Sequence, residues 1–225
     1  MRPSRPEARL ALCRLPAPAM LPLLLARLPA ALRPEVARFR RPEDQVARAT
    51  ARLLLRWLLA DAGLEALADL RGWARDARGR PMLAGGGADF SISHAGGWAG
   101  VALGRSLRLG LDLEPWQPVD PADHGGWLTD AERAGIHAAA DPGRALLRRW
   151  CLREAVLKAD GRGFALDPGA IRAIGDGRFP DNRAWTAELL DWPHGALAVA
   201  SDRPVAWLRA EPDAAAVMEA CPPLG

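Results

Sequence analysis

Asp112 and Glu114 are the first residues in this chain whose types and spacing suggest joint chemistry. They lie in Gly110-Leu111-Asp112-Leu113-Glu114, whose alternation reads as a strand. Side chains alternate faces along a strand, so the two carboxylates share one face and Leu111 and Leu113 share the other. Two like charges side by side need water or a shared cation. Hard oxygen donors of this kind suit Mg²⁺, which takes one or two carboxylates together with phosphate oxygens and water. A solvated outer strand face would carry the same D-x-E pattern, and on this run alone the two readings stand level.

The second run is Trp150-Cys151-Leu152-Arg153-Glu154-Ala155-Val156-Leu157-Lys158. On a helix, Trp150, Glu154 and Lys158 fall at i, i+4 and i+8 and share a face. An exposed Glu–Lys pair of this orientation contributes roughly 0.2–0.5 kcal/mol and would be the plain explanation. The choice of lysine counts against it. Of the 30 Lys and Arg residues, Lys158 alone is a lysine. With abundant Ala, Gly and Pro and no Tyr, this looks like a GC-rich coding bias that replaced Lys by Arg wherever physics allowed. Arg and Lys are not equivalent where a compact, flexible ammonium is needed.

Two weaker runs could meet an anion. Phe90-Ser91-Ile92-Ser93-His94 precedes a Gly96–Gly97 turn, and a Ser-His pair can bind phosphate through hydroxyl, imidazole and backbone N–H. A Ser-His hydrolase would compete, but the G-x-S-x-G elbow is absent. A loop histidine with ordinary partners is the plain alternative. Arg78-Gly79-Arg80-Pro81 offers donors and cations on a Gly/Pro loop without being a P-loop. The basic cluster Arg33, Arg38, Arg40, Arg41 and Arg48 could also hold an anion. Solvated arginines explain both equally simply.

These residues need elements to hold them. A strand is expected near 9–15, followed by a Pro-punctuated helical region. An amphipathic helix is expected from Pro42 to the stop at Gly63, with Val46, Leu53, Leu54, Trp57 and Leu58 inward. Gly79 to Gly87 reads as a loop. Trp98 to Leu113 reads as a hairpin turning at Arg105–Ser106. A Pro/Gly/Asp-rich linker follows, from Pro115 to Gly126. Thr129 with Glu132 forms a capping box for a helix to Ala140, and a stronger helix runs from Gly143 to Ala159. Beyond Gly163, AWTAELL, GALAVAS and PVAWLRAE alternate β-like runs with turns. The expected fold class is α+β, with two comparable subdomains at 1–110 and 111–225.

Composition narrows the function. With 225 residues, 49% hydrophobic and 25% charged, the chain reads as soluble and globular. A net charge of +3 permits an anionic ligand without demanding nucleic acid. Cys13, Cys151 and Cys221 lie far apart, which disfavours a disulfide scaffold or zinc ribbon and fits a reducing cytosol. The N-terminal apolar stretch is broken by Arg14, Pro16, Pro18, Pro22 and Arg27, short of the ~20 residues a membrane helix needs. It reads as folded sequence, not an export signal.

Taken in order, RGRP, FSISHA, LGLDLE and WCLREAVLKADGRG resemble the surfactin-type 4′-phosphopantetheinyl transferases. The resemblance spans Arg78 to Gly163, with flanking elements matching over nearly the whole chain. It implies two similar α/β subdomains related by pseudo-twofold symmetry. It also implies transfer of the phosphopantetheine arm of coenzyme A to a serine of an apo acyl or peptidyl carrier protein, releasing adenosine 3′,5′-bisphosphate. By resemblance, Asp112, Glu114 and Glu154 are metal-site carboxylates for Mg²⁺, with Mn²⁺ as the substitute. Glu154 is the general base for the serine, directly or through water, and Lys158 contacts the phosphates. Asp112 joins both as a catalytic residue. Ser93 and His94 bind a coenzyme A phosphate, and Gly79, Arg80 and Pro81 match the G-[KR]-P loop beside the nucleotide. Glu132 matches an acidic position near the metal. Arg48 or Arg33 is the expected grip on the 3′-phosphate.

The sequence departs from the family pattern in places. Ala95 stands where many relatives have Ser, and Arg153 where Lys is frequent. The carrier is expected to dock in a partly apolar groove near the Pro115–Trp127 loop, flanked by Trp116 and Trp127. It could serve fatty-acid, polyketide or nonribosomal-peptide synthesis. A monomer is expected, with no nucleic-acid or membrane partner. The rival readings are a basic nucleic-acid-binding protein and an inactive family member that binds carriers as a scaffold. The near balance of charges argues against the first. The intact Asp112, Glu114, Glu154 and Lys158 argue against the second.

Overall fold

The computed structural model describes residues 5–85, 87–162 and 185–224. In chain order the elements are β1 (Glu7–Arg14), α1 (Leu21–Ala26), α2 (Arg33–Ala37), α3 (Pro42–Asp61), β2 (Trp73–Arg75), β3 (Pro81–Leu83), β4 (Ala88–Ala95), β5 (Trp98–Arg105) and β6 (Leu109–Pro115). Then come α4 (Asp130–His137), α5 (Pro142–Asp160), β7 (Thr186–Leu190), β8 (Gly195–Ser201), β9 (Ala206–Ala210) and α6 (Ala214–Ala220). Short 3₁₀ turns fill several connections, including Pro121–Trp127 in the expected linker. The expected Gly163 and the first residue of AWTAELL lie outside the described residues.

The elements form two compact units, Met1–Ser106 with Val205–Gly225, and Leu107–Pro204. Mixed helices and sheets match the expected α+β class. In the first unit a four-stranded sheet runs in the order β4-β5-β1-β9. Helix α3 begins at Pro42, with Glu43 and Asp44 against the positive end of its dipole. Just past it, Gly63 takes a left-handed φ of 67°, suiting glycine after a helix end. The expected amphipathic helix forms, but α3 is enclosed around much of its circumference, with even Thr50, Arg52 and Arg56 buried. Leu53, Leu54, Leu55 and Leu58 join Phe90, Val101, Leu103 and Val217 in one core.

The expected hairpin across Arg105–Ser106 does not form. β5 pairs antiparallel with β4 and β1, whereas β6 pairs with β8 in a separate sheet. The hairpin turn is Gly96–Gly97, joining β4 to β5 with φ of 55° and 82°. Positive φ at both central residues is what a tight hairpin needs and what two glycines permit. Ser106, also left-handed at φ 52°, ends β5 at the edge of its unit.

The division also differs from 1–110 and 111–225. The first unit ends at Ser106, and the last 21 residues return to it. The reason is a pairing distant in sequence: β9 lies parallel to β1, with Ala206 opposite Glu7 and Ala210 opposite Ala11. Helix α6 then packs on α3.

In the second unit a three-stranded antiparallel sheet runs β6-β8-β7, with α5 across β6 and β8. Thr129 and Glu132 form the expected capping box of α4. Asp141 caps α5, and left-handed Gly161 ends it. Gly110 lets α5 approach β6: a Cβ there would lie 1.7 Å from the Ala155 carbonyl oxygen. Among the described residues no helix is long and apolar enough to cross a membrane. The three cysteines are buried and free.

Candidate active site

Because Gly110, Asp112 and Glu114 alternate onto one face of β6, the close approach of α5 at Gly110 covers the carboxylate face. Leu111 and Leu113, on the other face, are fully buried. Asp112 is therefore an interior carboxylate, 5% exposed. Lys158 reaches it from α5, with Nζ donating to Asp112 Oδ1 at 2.7 Å. The Cys151 thiol donates to the Ala196 carbonyl at 3.4 Å, and burial pushes its pKa up, with the Asp112 charge adding to the shift.

The carboxylates feel one another. Burial, then the charges of Asp112 and Glu154, push Glu114 up to about 7, against the pull of Lys158 and a hydrogen bond from Trp150. Glu154 is raised by burial and by Asp112, with Lys158 opposing. The chemistry of this set fits a hard divalent cation: carboxylates that raise one another's pKa values, with one ammonium opposing them. As the side chains stand, Lys158 holds Asp112, and among the described residues no three His, Cys, Asp or Glu side chains converge as a ligand group. Beside Glu114 opens a cavity of about 220 Å³, lined by Gln117, Val119, Trp127, Leu146, Leu147 and Trp150.

Glu132 is committed elsewhere. Its Oε2 accepts from the Thr129 N–H at 2.9 Å, and Arg153 Nη2 lies 3.1 Å from both of its oxygens. Burial alone would raise its pKa, but the Thr129 bonds and the Arg153 and Arg149 charges hold it below the ordinary value. Arg153, a mild Lys replacement on sequence grounds, is 1% exposed and structural.

In the first unit the expected anion-binding residues fare unequally. The Arg80 guanidinium is tied to Asp89 by bonds of 2.6 and 2.7 Å. The donors of its loop are also used: Arg78 and Arg80 N–H both bond Asp76 Oδ1, and Gly79 N–H bonds the Asp76 carbonyl. Pro81 begins β3. Ser93 and His94 are neighbours in the unbulged β4, so their side chains point to opposite faces of the sheet. His94 shares its face with Phe90 and Ile92, and Ser93 is buried on the other.

Arg48 is better placed. Its guanidinium stacks 3.6 Å above the Phe39 ring, and Arg38 lies over the same ring at 5.0 Å. Among the described residues, Arg48 Nε and Arg52 Nε are buried with no hydrogen-bond partner. Burial lowers the Arg48 pKa first, and the charges of Arg38 and Arg75 lower it further. Arg52 and Arg75 share one oxygen of Glu35, at 3.1 and 3.0 Å. This crowd of guanidiniums around one glutamate is short of negative charge. Arg52 and Arg75 were not legible as its members, because only the fold brings α2, α3 and β2 together. Arg33 donates instead to the Leu28 carbonyl.

Residues 108–208 match the family model of the 4′-phosphopantetheinyl transferase superfamily. A Haemophilus influenzae protein named "Putative 4′-phosphopantetheinyl transferase" is 34% identical over 130 residues, covering 52% of this chain and 52% of that protein. The chain thus spans about half the length of the curated relative it matches. The family-model match takes in Asp112, Glu114, Glu154 and Lys158, and over residues 108–208 the chain is similar to the 4′-phosphopantetheinyl transferase superfamily.

Proposed function

We propose that the protein transfers the 4′-phosphopantetheine group of coenzyme A to a serine hydroxyl of an apo acyl or peptidyl carrier protein. The observation that carries this reading is the contact of Lys158 Nζ with buried Asp112, beside two carboxyls whose pKa values are raised. Asp112, Glu114 and Glu154 would hold Mg²⁺, or Mn²⁺ in its place. When bound, the ion neutralises charge on the pyrophosphate as its P–O bond breaks.

The rest is the work of this chain's own residues. Glu154, its pKa raised by burial and the Asp112 charge, accepts the proton of the carrier serine, directly or through one water. The serine Oγ bonds to the phosphorus that bears pantetheine. The bond from that phosphorus to the bridging oxygen breaks, and the oxygen leaves with adenosine 3′,5′-bisphosphate. Lys158, about a third exposed, can donate to phosphate oxygens while still bonded to Asp112. In the first unit, Arg48 with Arg38 and Arg75 is proposed to bind the terminal phosphate, because the guanidiniums there outnumber the facing carboxylates Glu35 and Asp44. His94 is proposed for a second phosphate contact, and Gly79, Arg80 and Pro81 as a shaped loop bordering the nucleotide. Trp116 and Trp127 are proposed to meet the carrier.

Incubation with coenzyme A, Mg²⁺ and a panel of apo carrier proteins tests the reading. Mass spectrometry should show the carrier gaining one phosphopantetheine. No gain with fatty-acid, polyketide and peptide carriers alike would reject it.

A further inference from the structure

Phe39 is a large apolar side chain outside the core that α3 builds. It stands half-buried in the short connection between α2 and α3, apart from the cluster of Leu53, Leu54 and Phe90. Its ring carries cations instead. The Arg48 Cζ lies 3.6 Å from the ring centroid, and the Arg38 Cζ lies 5.0 Å from it. A separation of 3.6 Å is close to van der Waals contact, so the guanidinium lies with its flat face on the ring. The ring is itself held. Phe39 N–H bonds the Val36 carbonyl at 3.3 Å, and Gln45 Nε2 donates to the Phe39 carbonyl. Gln45 and Arg48 are three residues apart on one face of α3, so the connection is tied to the helical turn that carries the guanidinium. Among the described residues, Arg48 Nε has no hydrogen-bond partner.

We propose that Phe39 is a positioning residue for the terminal-phosphate contact of the transferase reading, on which this inference rests: its ring holds the Arg48 guanidinium by the face and leaves the edge open to the phosphate. The N–H groups of a guanidinium point outward in its plane, so a partner on the flat face takes none of them. A carboxylate partner does the opposite, since it occupies two donors and cancels the charge. Arg80 shows that outcome in the same unit, with Asp89 on its edge at 2.6 and 2.7 Å. The ring also confines a long side chain before the ligand arrives, which lowers the rotamer freedom lost on binding. Arg38 on the same ring brings a second cation to that place, and the negative face of the ring offsets part of the repulsion between the two. An apolar holder thus keeps a charged edge available, and the gain falls only on a ligand that carries the phosphate.

The test is titration calorimetry of the 225-residue protein with coenzyme A and with 3′-dephospho-coenzyme A, with Mg²⁺ present and no carrier, so turnover does not enter. The wild type should bind coenzyme A about tenfold more tightly than the ligand lacking the phosphate. Phe39→Leu keeps an apolar side chain and removes the π face. It should weaken coenzyme A about fivefold and leave 3′-dephospho-coenzyme A unchanged. Phe39→Tyr restores the ring and should bind both ligands as the wild type does. Added to Arg48→Gln, Phe39→Leu should have no further effect, because the ring acts through that guanidinium. A purely structural role would weaken both ligands alike and persist without Arg48, and either result overturns the proposal. Wild-type coenzyme A affinity in Phe39→Leu overturns it too, and Phe39→Met decides in its place if the leucine variant does not fold. A wild type that binds the two ligands equally rejects the phosphate role of Arg48 and the proposal with it. A wild type that tells them apart but modifies no carrier rejects the transferase reading alone, and the Phe39 variants still decide.

Discussion

Lys158 meets Asp112 at 2.7 Å while its side chain remains 31% exposed, so one ammonium serves a buried carboxylate and still faces outward. Its three donors are rotatable and compact, whereas a guanidinium is a rigid planar fork. Lys158→Arg should therefore keep the melting temperature and lose about 10²–10³-fold in kcat, measured by carrier modification. Near-normal turnover of that variant would remove the lysine from the mechanism. Glu114 supports a second prediction. Its folded pKa of about 7 stands above the ordinary 4.5, so the folded protein holds this proton where the unfolded chain has released it. The stability this contributes is complete below pH 4.5 and is lost as pH rises through 7. Without divalent metal, the melting temperature should fall between pH 5 and pH 7.5, and Glu114→Gln should flatten the slope. A slope unchanged by that substitution would place its origin in other groups.

Between β6 and α5, the site depends on closeness more than on composition. A methyl group on Gly110 would sit 1.7 Å from the Ala155 carbonyl oxygen and 2.7 Å from the Ala159 nitrogen, both backbone atoms that cannot swing aside. Gly110→Ala must push α5 off the strand that carries Asp112. Overpacking typically costs roughly 1–3 kcal/mol, and a backbone clash belongs at or above the upper end. The expected result is a lower denaturation midpoint together with lost activity. A variant that is inactive yet as stable as wild type would show that the glycine serves something other than packing. At the start of α4, Thr129→Ala removes one side of the capping box and should cost about 1 kcal/mol in urea unfolding.

Across the molecule, the chain leaves its first unit at Ser106 and returns to it at Val205. β9 completes the sheet beside β1, and Arg56 binds the Pro222 carbonyl at 3.2 Å from inside the first core. A protein truncated after Pro204 should therefore lose cooperative melting of residues 1–106, although every residue of that segment is intact. Hydrogen exchange across β1 and α3 would report it; full protection in the truncated protein would show that β9 and α6 are dispensable. The shared face of Asp112 and Glu114 and the capping box were legible because strand and helix periodicities are local, two or three to four residues long. Lys158 stood out for a related reason: it departs from the composition around it. The partners were not legible. Asp89 on Arg80, Arg153 on Glu132, Asp112 on Lys158 and Glu35 between two arginines join residues 9 to 46 positions apart. Nor did spacing reveal that β5 turns toward β4 and β1 instead of β6. Local steric and hydrogen-bonding rules set which residues share a face. Which faces then meet depends on burying apolar surface against segments far along the chain, and only the folded molecule resolves that competition.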